Sequence, residues 1–140
     1  SKLKVSGFAE QPGFIADIEM GYAGTHALNR GRVALEALRR RLDDIPEEDI
    51  RIDLVGVDST LGAASLPYAD RMPEVRLHVS ARCPDAELAQ IVEDEVYALT
   101  LSGPAGGGSV RSERRPHLAV VDGLIDRNLV KTETVWAIAK

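Results

Sequence analysis

Residues 73–82 read PEVRLHVSAR, and within them apolar and polar side chains alternate without a break. Val75, Leu77, Val79 and Ala81 fall on one side of an extended strand, and Arg76, His78, Ser80 and Arg82 on the other. A strand of this kind needs a cover on one face only, which is the habit of antiparallel sheets rather than of fully buried parallel ones. The cover is written elsewhere in the chain. Over 25–42, Leu28, Leu35, Leu38 and Leu42, with Ala27, Gly31 and Ala34 beside them, recur at helical spacing, with Thr25 as the N-cap. Over 85–102, Leu88, Ile91, Val92, Val96 and Leu99 form a second apolar stripe. Cys83 or Asp85 caps that helix, and Pro84 stands where a missing N–H costs little.

Further strands are read at 3–8, 14–22, 51–58, 117–125 and 130–138. The first two are joined as a hairpin through the turn residues Pro12 and Gly13, and 51–58 is apolar enough for burial on both faces. The predicted order is β-β-α-β-β-α-β-β: an α/β chain with a ferredoxin-like split βαβ core and two helices packed on one face of a sheet. With 140 residues, the expectation is a single domain over 1–140. The outer strands 3–8 and 130–138 are candidate sheet edges, and Trp136 lies on the second. Such edges need covering, by another part of a longer protein or by another subunit, so a homo-oligomer is expected.

Charge narrows the partners. A net charge of −5 and the lack of a basic stripe interleaved with aromatics argue against nucleic acid. No apolar run approaches the roughly 20 residues of a membrane helix. The lone Cys83 excludes an internal disulfide and fits a reducing cytoplasm. His26, His78 and His117 lack metal-ligand spacing, and no cofactor motif is present. The chain starts at Ser1 with a strand rather than at Met, as expected of a segment of a longer protein or one part of an assembly.

Three segments are candidates for chemistry. GPAGGG at 103–108 has more glycines than a helix stop requires, so Gly106, Gly107 and Gly108 could turn their N–H groups toward an anion, with Arg111 close behind. The segment follows a helix, however, and the negative dipole end there opposes an anion; a surface loop is the competing reading. GYAGTHALNRG runs from a strand into a helix start, where N–H groups around Gly24 and Thr25 meet the positive end of the dipole. A simple capped helix start would look the same. GVDSTLGAA at 56–64 leaves a strand at its C-terminal end, with Asp58 as a candidate acid/base and Ser59 as a candidate nucleophile or hydrogen-bond donor. No histidine close in sequence completes a triad.

The stretches LKVSGFAEQPGFIADIEMGYAGTHALNRGRVALEALRRRL, DLVGVDSTLG and YALTLSGPAGGGSVR, in this order, resemble the AtuA family of acyclic terpene utilisation proteins. The resemblance covers nearly the whole chain and corresponds to the C-terminal portion of the family's main domain. It implies a part in bacterial breakdown of branched isoprenoid acids and their CoA thioesters. Two functions follow as expectations. One is binding of an acyl-CoA or small carboxylate through the loops around Gly24, Asp58 and Gly106. The other is a non-catalytic assembly segment that completes a partner's active site. Convergence of 21–26, 56–62 and 103–111 in space is the feature that separates them.

Overall fold

The computed structural model describes residues 1–69 and 71–136, with the side chain of Leu66 left aside. Its main elements are β1 (Lys2–Ala23), α1 (Ala27–Arg41), β2 (Ile50–Val55), the short α2 (Leu66–Ala69), β3 (Glu74–Cys83), α3 (Ala86–Ser102) and β4 (Gly107–Asp126). The strands form one antiparallel sheet in the order β2-β3-β1-β4. Among the described residues no helix is long and apolar enough to cross a membrane. Two compact units divide the chain: Pro12–His117, and Ser1–Gln11 with Leu118–Lys140.

The first unit is built around β3. Its alternation survives intact, with Val75, Leu77, Val79, Ala81 and Cys83 buried. On β1 the facing residues are Tyr22, Met20, Ile18 and Ala16, in register with Val75, Leu77, Val79 and Ala81. On the other flank Leu54, Ile52 and Ile50 of β2 pair with Leu77, Val79 and Ala81. The helices seal this face, α1 through Leu28, Ala34, Leu35 and Leu38, and α3 through Ala89, Val92, Val96 and Leu99. Gly31 lets α1 approach closely, since a Cβ there would lie 3.0 Å from Val75 and 3.1 Å from Leu54. Asp85, rather than Cys83, caps α3, its carboxylate accepting the Leu88 N–H at 2.8 Å. Cys83 is fully buried, and burial followed by the nearby Asp85 carboxylate pushes its thiol above the ordinary 9.

The other face is a mosaic of paired charges. Arg76 donates to Glu19 at 2.8 Å, and Arg51 to Asp53 at 2.5 Å. The His78 ring lies 3.3 Å from Asp17 and 3.4 Å from Asp53. Asp53 is buried, and Arg51 offsets the cost of its desolvation.

Several local expectations change. The segments 3–8 and 14–22 are parts of one strand, β1, and no turn forms at Pro12 and Gly13. Gly13 instead has φ +98° where β1 passes the end of β3, and a Cβ there would collide with the Cys83 carbonyl. The strand at 51–58 ends at Val55 and is a sheet edge, with Leu54 buried on the core face and Asp53 buried on the other, while Arg51 and Val55 are exposed. Ile91 is exposed, because the stripe of α3 runs through Ala89, Val92, Val96 and Leu99, one residue out of step with it. Residues 130–136 form no strand, and the rest of that expected strand, 137 and 138, lies outside the described residues. Residues 117–125 are the later part of β4, which begins earlier, at Gly107.

The second unit consists of the early part of β1 and the late part of β4. The Arg127 N–H donates to the Ser1 carbonyl at 3.1 Å. Ser6 Oγ donates to Asp122 at 2.5 Å, and Lys4 pairs with the same carboxylate at 2.7 Å. The two strands thus run antiparallel as a ribbon.

Gly13→Ala is expected to destabilise the protein by about 2 kcal/mol or more, since it combines a positive φ with a collision against backbone. Gly7→Ala, where a Cβ meets nothing within 4 Å, should change stability far less. Urea unfolding of both variants against the parent checks the contrast.

Candidate functional site

Antiparallel register gathers the loops. β1 ends at Ala23 opposite Glu74, where β3 begins, and Val55 near the end of β2 pairs with Arg76. β4 begins at Gly107, where a Cβ would stand 2.8 Å from Met20 and 3.1 Å from Tyr22. The β1–α1 turn, the β2–β3 connection and the α3–β4 turn therefore occupy the same end of the sheet.

Two of these turns are tied together by one side chain. Arg30, on α1, donates through Nη2 to the carbonyls of Ala23 at 2.5 Å and Thr25 at 3.1 Å. Through Nη1 it donates to the carbonyl of Ala105 at 2.7 Å. Its rigid fork suits this three-way contact, which an ammonium would not reproduce. No carboxylate pairs with Arg30 among the described residues.

The same guanidinium accounts for much of the glycine run. Gly106 has φ +83°, and a Cβ there would run into Arg30 Nη1. Gly107 leaves room for Met20 and the Tyr22 ring. Gly103 ends α3 with its N–H on the Leu99 carbonyl at 3.1 Å. Only Gly108 faces open space, and Arg111 beyond it on β4 is exposed. Tyr22 is fully buried, and its hydroxyl has no hydrogen-bond partner among the described residues. Burial raises its pKa above the ordinary 10, opposed by the Arg30 charge.

The helix start is less regular than a Thr-capped one. His26, not Thr25, occupies the N-cap position of α1, with φ 61° and no side-chain cap. The Gly24 N–H donates to the Pro73 carbonyl at 2.8 Å, and the Ala27 N–H to Gly24 at 3.1 Å. Beside this turn lies a cavity of about 400 Å3, whose lining includes Gly24, Thr25, His26, Asn29, Arg71 and Met72. A second cavity, of about 330 Å3, is lined by Val57, Ser59, Leu61, Ser65, Tyr68 and Met72 among others. Met72 borders both.

Asp58 closes the turn that follows β2. Its carboxylate accepts the Leu54 N–H at 3.0 Å while its own N–H donates to the Leu54 carbonyl at 3.1 Å. Ser59 faces the second cavity, and its carbonyl accepts from Arg51 at 2.6 Å. Sequence reasoning missed Arg30, Tyr22, Arg71 and Met72. Arg30 had a signal: it stands three residues after Ala27, on the flank of the buried stripe.

The family described as "Acyclic terpene utilisation family protein AtuA" matches residues 1–136, and the chain belongs to it. Membership puts the chain in the context of acyclic terpene utilisation. No curated protein and no solved structure matches.

Tyr22→Phe is expected to melt no lower than the parent at pH 7, because it removes a buried hydroxyl without a partner. With its folded pKa raised, Tyr22 keeps its proton in the native state where the unfolded chain loses it. The stability it contributes is complete below pH 10 and declines above it. The variant's melting temperature should therefore fall less steeply on the alkaline side. A large drop at pH 7 would mean that the hydroxyl has a partner.

Proposed function

We propose that this chain, as part of an AtuA-like protein of bacterial acyclic-terpenoid catabolism in the cytoplasm, binds an amphiphilic anion: a branched acyl carboxylate or its CoA thioester. The observation that carries the reading is the pair of cavities that share Met72 in their linings. One side offers Arg71, His26 and Thr25 at the positive end of α1, and a carboxylate or phosphate there gains charge-assisted hydrogen bonds. The other offers Val57, Leu61, Tyr68 and Met72, and a branched hydrocarbon tail leaves water against them. A single ligand with a charged head and an apolar tail uses both.

The candidate residues take distinct parts in this reading. Gly24 and Thr25 border the head, while Gly106 and Gly107 give Arg30 and Tyr22 the space in which the turns are held. Ser59 lines the tail cavity, and Asp58, engaged with Leu54, holds the loop that carries it. Gly108 and Arg111 flank the arrangement from β4. The order β1-α1-β2-β3-α3-β4, arranged in the sheet as β2-β3-β1-β4, supports a ferredoxin-like split βαβ as the scaffold.

Titration calorimetry with a branched isoprenoid carboxylate and with its CoA thioester tests the reading. Arg71→Ala should weaken binding by about 1–3 kcal/mol, the loss of one charge-assisted hydrogen bond. Arg111→Ala, outside the cavity lining, should keep near-parental affinity. A parent chain that takes up neither ligand would overturn the assignment.

A further inference from the structure

Arg30 lies outside the lining of both cavities, but the turn that it grips is part of the wall of the one assigned to the charged head. A peptide group is planar and trans, so its C=O and N–H point in opposite directions. Drawing a carbonyl onto the guanidinium therefore turns the next residue's N–H away from it. The Ala23 carbonyl is held at 2.5 Å, and the Gly24 N–H on its far side reaches the Pro73 carbonyl at 2.8 Å. The Thr25 carbonyl is held at 3.1 Å, which turns the His26 N–H away in the same manner. That N–H has no acceptor among the described residues, and His26 lines the head cavity. The Ala105 carbonyl pins the guanidinium at 2.7 Å, and Gly106 clears the space that Nη1 occupies.

Resting on the ligand reading above, we infer that Arg30 is the positioning residue of the head cavity. It presents the His26 N–H, at the start of α1, to the anionic head, and Gly106 acts on that site through Arg30 rather than by contact. The charge of Arg30 is not what the task requires. A lysine ammonium carries the same charge but lacks the planar fork, so it cannot hold the Thr25 and Ala105 carbonyls together. Gly106 matters for a matching reason. A methyl group there meets Nη1, and the φ of +83° disfavours any side chain, so the grip is disturbed from the α3–β4 turn with Arg30 itself intact. Once the grip is lost, the Thr25–His26 peptide is free to rotate, and the head loses a charge-assisted hydrogen bond. None of the three gripped residues lines the tail cavity, so the effect falls on the head.

Calorimetry and amide NMR spectra with dimethyloctanoate, a branched carboxylate, test this. Arg30→Lys and Gly106→Ala should each weaken binding about tenfold, the loss of one charge-assisted hydrogen bond. Arg32→Ala, which removes an exposed charge two residues along α1, should bind as the parent does. In the parent, the His26 amide proton should move downfield on saturation, as an N–H does when it gains a charged acceptor. In Arg30→Lys the shift should stay smaller even at saturation, because the peptide is misplaced; a merely structural role would restore the full shift once the site is filled. Full affinity in Arg30→Lys and Gly106→Ala, a full shift at saturation, or an unmoved His26 amide in a parent that binds the carboxylate overturns this proposal alone. A parent that does not bind the carboxylate overturns the ligand reading and this proposal with it. Should circular dichroism show that Gly106→Ala fails to fold, Arg30→Lys decides the matter.

Discussion

The one-sided burial of β3 is the constraint on which the described body rests. Its five inward residues meet β1 on one flank and β2 on the other in strict register, so the apolar face is three strands wide where the helices cover it. A slip of one residue on either flank would turn Met20 or Leu54 to the charged side and bring Glu19 or Asp53 into the core. The ion pairs of the opposite face reinforce the same register, since Arg76 reaches Glu19, and His78 reaches both Asp17 and Asp53, only when the strands are aligned as they are. Their effect is on which pairing is chosen.

Given that register, the geometry at the sheet end follows. Three connections leave neighbouring strand ends together, and Arg30 spans two of them with a single guanidinium. The arrangement has a steric corollary: an arginine placed against Gly106 and a tyrosine against Gly107 leave no room for side chains in the turn that faces them. The glycine run is therefore shaped by what lies beneath it as much as by anything that might approach from outside.

Much of this was readable in advance, and the remainder has identifiable causes. The alternation of β3, the stripe of α1 and the Asp85 cap are short-range signals, and each is realised. Pro12 and Gly13 carry ordinary turn chemistry, yet the strand continues through them, because pairing to β3 and β4 outweighs local preference and a positive φ at Gly13 accommodates the passage. The helix stripe gave Leu28 and Leu38 correctly but could not separate Arg30 from Arg32, since that distinction depends on a carbonyl contributed by Ala105, 75 residues away. The cavity residues Arg71 and Met72 were invisible for a related reason: they belong to a connection with no periodic pattern, whose position is set by the strands at either end.

Cys83 has a practical consequence for anyone who studies this chain. A thiol with no solvent contact, held in its protonated form by burial and by Asp85, is a poor nucleophile toward maleimides and iodoacetamide. Since it is the only cysteine, a cysteine placed at an exposed position would be the one reactive thiol on the surface. Fluorophores or spin labels could then be attached at chosen points without first removing a native residue from the core.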